Sequence, residues 1–222
     1  MSATMRLGTR PSRLAIRQAE EIKARLPHVR FEVIELETKG DKDKISPLSA
    51  KEGQDFFTYE IEKALLEGNI DAALHSAKDI EDSPPADLTI AATTRSISPF
   101  ECLVSRGGLK LEELPFAAVV GTSSRKRKAA IQYFRRDLIV KDIRGNVDDR
   151  IRQLDEGKFD AIIVAHAALI RLGMEDRIAD IIPDHVIRPH PLQGRLSIQV
   201  RSDRRDLIDL LAPLREVSED VR

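Results

Sequence analysis

Asn69-Ile70-Asp71-Ala72-Ala73-Leu74-His75-Ser76-Ala77-Lys78-Asp79 is an apolar run that stops abruptly in a hydroxyl, a lysine and a carboxylate. Ile70 to Leu74 is short, follows a helical pattern and carries the signature of a core strand in a parallel sheet. Such sheets bind ligands beyond the carboxyl ends of their strands, which is where Ser76, Lys78 and Asp79 stand. Two readings of Lys78-Asp79 are open. One is a surface ion pair that closes a strand. The other is an ionised carboxylate suited to holding a developing cation or shuttling a proton.

On the N-terminal side, Arg6 to Thr9 reads as a first strand and Arg10-Pro11-Ser12 as a corner. A helix follows, with Ala15, Ala19, Ile22 and Leu26 at spacings of 4, 3 and 4, and Pro11 suits its first turn. From this corner Arg10 reaches either the ligand edge of the sheet or solvent. Arg30 to Leu36 alternates as a half-buried strand does. From Gly40 to Asp55 the pattern dissolves into polar, turn-rich residues, expected to form a long loop that is either a lid or plain surface. Phe57, Ile61, Ala64 and Leu65 make a helical stripe leading into the opening strand.

Beyond Asp79, Leu88 to Ala92 is another apolar strand, and Arg95 to Phe100, with Pro99, marks a first crossing into a second domain. Phe116 to Val120 is expected as a strand, and Gly121-Thr122-Ser123-Ser124 turns into a helix carrying Arg125-Lys126-Arg127-Lys128. Cations at a helix N-terminus oppose the macrodipole. The cluster reads either as a solvated charge run or as an anion site, where hydroxyls, backbone N–H groups and cationic heads converge on a carboxylate or phosphate. Leu138 to Val140 and Phe159 to Val164 are further strands, with a helix bearing Val147, Ile151 and Leu154 between them. Gly173 fits a position just past a helix end. Residues 125–152 hold ten Lys/Arg against four Asp/Glu, so positive charge gathers near one set of strand ends. Ile187 to Pro191 is a second proline-marked crossing, after which Leu196 to Val200 and the stripe Leu207, Leu210, Leu211 and Leu214 return the chain to its first domain. The expected organisation is α/β, with residues 1–96 plus 190–222 as one domain and 97–189 as the other.

Composition narrows the function classes. Among 222 residues, 36 Lys+Arg nearly cancel 37 Asp+Glu, so no global field draws the protein to nucleic acid or to a membrane surface. Aromatic residues are 4% and Trp is absent, which argues against a base-stacking module. Met1 to Arg6 lacks the apolar core of a signal peptide, and no apolar run approaches the roughly 18 residues of a span. The single Cys102 forms no internal disulfide and reads as a small core hydrophobe. A cytoplasmic protein is expected. His75, His166, His185 and His190 lack metal-ligand spacing and read as structural.

Taken together, Leu7-Gly8-Thr9-Arg10-Pro11-Ser12, Ala50-Lys51, His75-Ser76-Ala77-Lys78-Asp79, Gly121-Thr122-Ser123-Ser124, Arg144-Gly145-Asn146-Val147, Asp160-Ala161-Ile162-Ile163 and Arg171-Leu172-Gly173 resemble the porphobilinogen deaminase (hydroxymethylbilane synthase) family, in its order and near its spacing. The resemblance spans nearly the whole chain. It implies two lobes like those of type-II periplasmic binding proteins, each a mixed sheet flanked by helices, joined by a double-crossover hinge. It implies a monomeric transferase of haem biosynthesis that deaminates porphobilinogen and joins four units into hydroxymethylbilane. It places catalysis at Asp79, and substrate or primer contacts at Arg10, Ser12, Lys51, Ser76, Lys78, Thr122, Ser123, Ser124, Lys126, Arg127, Arg144, Arg150, Arg171 and Gln193. The family also carries a dipyrromethane primer on a cysteine of a third, C-terminal domain. That cysteine has no counterpart here, since Cys102 aligns within the second lobe, so the primer is expected to be non-covalent or missing. A short natural form and a shortened piece are equally compatible with the sequence. The rival reading is a non-catalytic, two-lobed binder of carboxylated pyrroles or other small anions.

Overall fold

The computed structural model describes residues 4–42, 57–80 and 85–216. Of these, residues 4–42, 57–80, 85–97 and 195–216 form one compact unit and residues 98–194 another. Each is an α/β layer built on a five-stranded mixed sheet.

In the first unit the elements are β1 (Met5–Thr9), α1 (Arg13–Arg25), β2 (Phe31–Glu35), α2 (Lys39–Lys42), α3 (Tyr59–Leu66), β3 (Ala72–Ser76) and β4 (Leu88–Thr93). The sheet order is β2-β1-β3-β10-β4, completed by β10 (Leu196–Arg201). β3 runs parallel to β1 but antiparallel to β10, so the opening strand is not in an all-parallel sheet. Its burial on both faces explains the unbroken apolar run. Ser12 caps α1 by accepting from the Ala15 N–H at 3.2 Å, and Lys23 and Arg25 in the last turn complement the helix dipole. Ala19 and Ile22 of α1 pack with Leu7, Leu74, Ile198 and Leu211 in the core. On the other face Ile61, Ala64 and Leu65 of α3 cover Ile70, Ala73 and Leu88.

The second unit contains β5 (Glu101–Ser105), β6 (Val119–Gly121), α4 (Arg125–Phe134), β7 (Ile139–Lys141), α5 (Val147–Asp155), β8 (Ala161–Ala165), α6 (His166–Leu172) and β9 (Asp180–Ile182). The sheet order is β7-β6-β8-β5-β9, with β5 antiparallel to both neighbours. β5 therefore holds the place that β10 holds in the first sheet, between a strand of the parallel set and the far edge. Gly173 ends α6 in the left-handed region, at φ 64°, as its position suggested.

Two local expectations are corrected. The strand expected from Phe116 begins only at Val119. Phe116 is 84% exposed and Ala117 has φ 59°, in a turn where the Ala118 N–H donates to the Pro115 carbonyl. Within the stretch read as loop from Gly40, α2 is a helical turn, because Thr38 and Asp41 cap one another: the Thr38 N–H donates to Asp41 Oδ2, and the Asp41 N–H to Thr38 Oγ1. The remainder of that stretch, including Lys51, lies outside the described residues.

Candidate active site

In the first unit the end of β3 bends into a single 3-10 turn, Ala77–Asp79, which buries Ala77 and leaves Asp79 exposed. Asp79 borders a cavity of about 40 Å³ together with Thr9, Arg10, Ser12, Leu14, Ala15, Gln18, Phe57, Thr58, Leu74, His75 and Ser76. The walls come from the β1–α1 corner, the first turns of α1, the start of α3 and the end of β3. Four residues named from the sequence, Arg10, Ser12, Ser76 and Asp79, are thus brought together. Lys78 is half-buried on the same turn and does not border the cavity.

The donors here are held in place. Ser76 Oγ accepts from Gln18 Nε2 at 3.1 Å, and Ser12 Oγ accepts from the Ala15 N–H, so each hydroxyl proton is left to donate elsewhere. Arg10 does not point into solvent. Its Nε and Nη2 grip the Asp41 carboxylate, with Nε–Oδ1 at 3.1 Å and Nη2–Oδ1 at 2.5 Å, and its guanidinium lies 4.4 Å from the centre of the Phe57 ring. Burial alone would raise the pKa of Asp41; the Arg10 and Thr38 hydrogen bonds outweigh it and hold the carboxyl below its usual range. His75 forms part of the floor and is buried. Desolvation drops its imidazole to about 4, with the nearby Arg10 charge adding to the drop and the Gln199 carboxamide opposing it, so the ring is neutral at physiological pH.

The second unit treats its charges differently. Ser124 caps α4, accepting from the Arg127 N–H at 3.4 Å. Ser123 is buried, donating from Oγ to the Ile143 carbonyl and accepting from the Ile143 N–H, which ties the β6–α4 and β7–α5 corners together. Thr122 is fully buried, and its Oγ1 accepts from the Ser124 N–H. Three of the four cations at the start of α4 have separate partners. Arg127 turns inward onto Glu101, with Nε–Oε1 at 2.9 Å and Nη2–Oε2 at 2.7 Å, the side chains 11% and 7% exposed. Lys128 pairs with Asp142 at 2.8 Å, and Lys126 Nζ reaches the Pro189 carbonyl at 3.4 Å. Arg127, Lys128 and Lys126 thus each have an acceptor within the protein.

Arg144 and Arg150 flank the α5 N-terminus, where Arg150 Nε donates to the Gly145 carbonyl at 2.9 Å. The Arg171 Nη2 donates to the Gly194 carbonyl at 3.0 Å. Gln193 is buried, its Nε2 donating to the Phe100 carbonyl at 3.2 Å. Cys102 is fully buried, with its thiol 3.5 Å from the Val164 carbonyl; burial, with the Glu101 charge, pushes it up to about 12. Sequence reasoning missed Asp41, Gln18 and the pocket role of Phe57. Of these only Asp41 left a local signal, the spacing Thr38-Lys39-Gly40-Asp41 of a capping box.

Comparison with known proteins places these features. The family described as "Porphobilinogen deaminase, dipyromethane cofactor binding domain" matches residues 5–209. The porphobilinogen deaminases of Syntrophomonas wolfei and Chromobacterium violaceum are 41% and 42% identical to this chain over 212 residues, covering 94% of it and 69% of each relative. That of Roseiflexus sp. is 40% identical over 218 residues, covering 96% of the chain and 72% of the relative. Among solved structures, the BvgS VFT2 domain of Bordetella pertussis matches at a TM-score of 0.53 and 14% identity, over 95% of this chain and 86% of that one. The OxyR2 regulatory domain of Vibrio vulnificus matches at 0.52 and 16%, over 96% of both. These structures share the two-lobed α/β fold.

Proposed function

The chain belongs to the porphobilinogen deaminase family, and from that premise we propose that its first-unit pocket is where porphobilinogen loses ammonia in tetrapyrrole biosynthesis. The full reaction joins four such units head to tail into hydroxymethylbilane. The observation that carries the assignment is Asp79, an exposed carboxylate on the rim of a cavity otherwise furnished with donors. Loss of ammonia leaves a methylene-pyrrole cation, and a carboxylate beside it stabilises the charge and takes up the proton released after the next bond forms. Arg10, Ser12 and Ser76 are assigned to the carboxylate side chains of the substrate. A non-catalytic anion binder would gain nothing from a carboxylate among these donors, which favours the enzyme.

In the second unit, Ser124, Lys126, Arg144, Arg150 and Arg171 remain assigned to pyrrole carboxylates. Thr122, Ser123, Arg127 and Gln193 are assigned instead to building the loops that carry them, because Thr122, Ser123 and Gln193 are buried and the Arg127 guanidinium is paired with Glu101. The donor set fits a dipyrromethane primer, which is built of the same carboxylated pyrroles and, when bound, supplies the pyrrole carbon that accepts each new unit. Cys102 does not fit its attachment, being buried and held as a thiol. We therefore propose that Cys102 carries no primer. A reduced core cysteine suits a cytoplasmic, monomeric enzyme.

The test is an intact-mass measurement of freshly purified protein, with an assay of ammonia release from porphobilinogen. The expected result is turnover by a polypeptide whose Cys102 is unmodified. A mass increment on Cys102 would overturn its exclusion as the attachment point, and absence of turnover with primer supplied would overturn the catalytic assignment.

A further inference from the structure

Behind the pocket, Arg10 is held by two residues, Asp41 and Phe57, that do not themselves act as donors to the cavity. Asp41 takes the Nε and Nη2 edge of the guanidinium. Asp41 is in turn fixed by Thr38, whose hydroxyl donates to Oδ2 at 2.7 Å and whose N–H donates to the same atom at 3.1 Å. Phe57 stacks on the guanidinium at 4.4 Å, and the ring comes so close to Gly40 that a Cβ built there would lie 2.1 Å from its Cε1. Position 40 thus needs a glycine for the stack to form. Arg10 borders the cavity whereas Asp41 does not, and Nη1 makes no hydrogen bond among the described residues.

We propose that Asp41, with Gly40 and Phe57, is a positioning device for Arg10: it clamps one edge of the guanidinium and so presents the other edge to a carboxylate in the neighbouring cavity. A free arginine gives up much rotamer freedom on binding, whereas a clamped one has already lost it. The bidentate pair leaves the guanidinium its remaining donors for a carboxylate partner. The inference rests on the reading of Arg10 as a carboxylate-binding residue.

The experiment is calorimetric titration of the whole chain with porphobilinogen and, separately, with its dimethyl ester, which keeps the aminomethyl group and lacks both carboxylates. Asp41→Asn, Gly40→Ala, Arg10→Ala and the Asp41→Asn/Arg10→Ala double variant are compared with the parent. Loss of one well-aimed, charge-assisted hydrogen bond is worth roughly ten- to a hundredfold in affinity. Asp41→Asn and Gly40→Ala should each weaken porphobilinogen by about tenfold. Neither should change the much weaker binding of the ester, and Asp41→Asn should add nothing once Arg10 is alanine. Tighter binding by Asp41→Asn would show instead that Asp41 is an internal carboxylate competing for Arg10, and unchanged binding would show plain scaffolding; either overturns the proposal. Equal losses for acid and ester would also overturn it, since a general loosening ignores ligand charge. If Arg10→Ala itself leaves binding intact, the underlying reading of Arg10 fails and the proposal with it. If Asp41→Asn loses its cooperative melt, Gly40→Ala, which moves only the ring, decides the matter by the same acid-against-ester criterion.

Discussion

The two units share one sheet plan and use charge in opposite ways. In the first, the strand end at Asp79 leaves a carboxylate exposed beside a cavity, and the one cation among the described residues lining that cavity, Arg10, is clamped by Asp41. In the second, the densest run of cations in the sequence is answered from within, by Glu101, Asp142 and a backbone carbonyl. A cationic cluster is therefore weak grounds for a ligand site until its internal partners are known. A carboxylate left exposed at a strand end, with no ion pair among the described residues, is stronger grounds.

The contrast can be broken at the Arg127–Glu101 pair. If it is scaffold, Glu101→Ala strands a buried guanidinium and should cost about 3–5 kcal/mol in urea denaturation of the second unit, whereas Arg127→Met with Glu101→Leu should recover most of the loss. Preserved stability in Glu101→Ala would mean the pair is dispensable and Arg127 available for ligand.

On the first-unit side, His75 gives a pH signature. Its ring titrates near 6.5 when unfolded and near 4 in the fold. The stability gained by keeping it neutral is complete above about pH 6.5 and is lost as the pH falls from there toward 4. Between pH 7 and pH 5 the parent should lose about 2 kcal/mol more than a His75→Asn variant does. Parallel pH profiles would place the titration elsewhere.

Smaller effects sharpen the same boundary. Cys102→Ser should cost about 1 kcal/mol and leave porphobilinogen turnover unchanged, and a thiol reagent should label Cys102 only on unfolding. Lys126→Ala should change stability by no more than about 0.5 kcal/mol, since its amine is exposed and reaches one carbonyl at 3.4 Å. A clear loss of porphobilinogen affinity in that variant would then be a binding effect alone.

The strand at Ala72 to Leu74 is legible in the sequence because burial on both faces demands an unbroken apolar run, and the return of the chain at Leu196 is legible because Leu196, Ile198 and Val200 alternate with Ser197 and Gln199, although all five are buried. Asp79 is legible for the complementary reason: it interrupts such a run at the strand end. The charge partners are not legible. Arg127 and Glu101 are 26 residues apart and Arg10 and Asp41 are 31 apart, so only the register of the sheets and the packing of the corners bring them together. Phe57 looked like part of the α3 stripe, but it lies before the helix and turns to Arg10 rather than to the core. Arg10 shows how far residue type alone reaches: a corner arginine is a candidate, and its aim is set by a carboxylate and a ring that no local pattern connects to it.

The most direct measurement is ammonia release from porphobilinogen by Asp79→Asn beside the parent, with primer supplied and circular dichroism recorded on both. Asparagine keeps the shape and removes the charge. The expected result is a fall of at least about 100-fold in turnover with an unchanged spectrum and melt. Turnover within a few-fold of the parent would contradict the assignment of Asp79, and with it the view that the first-unit pocket carries the chemistry.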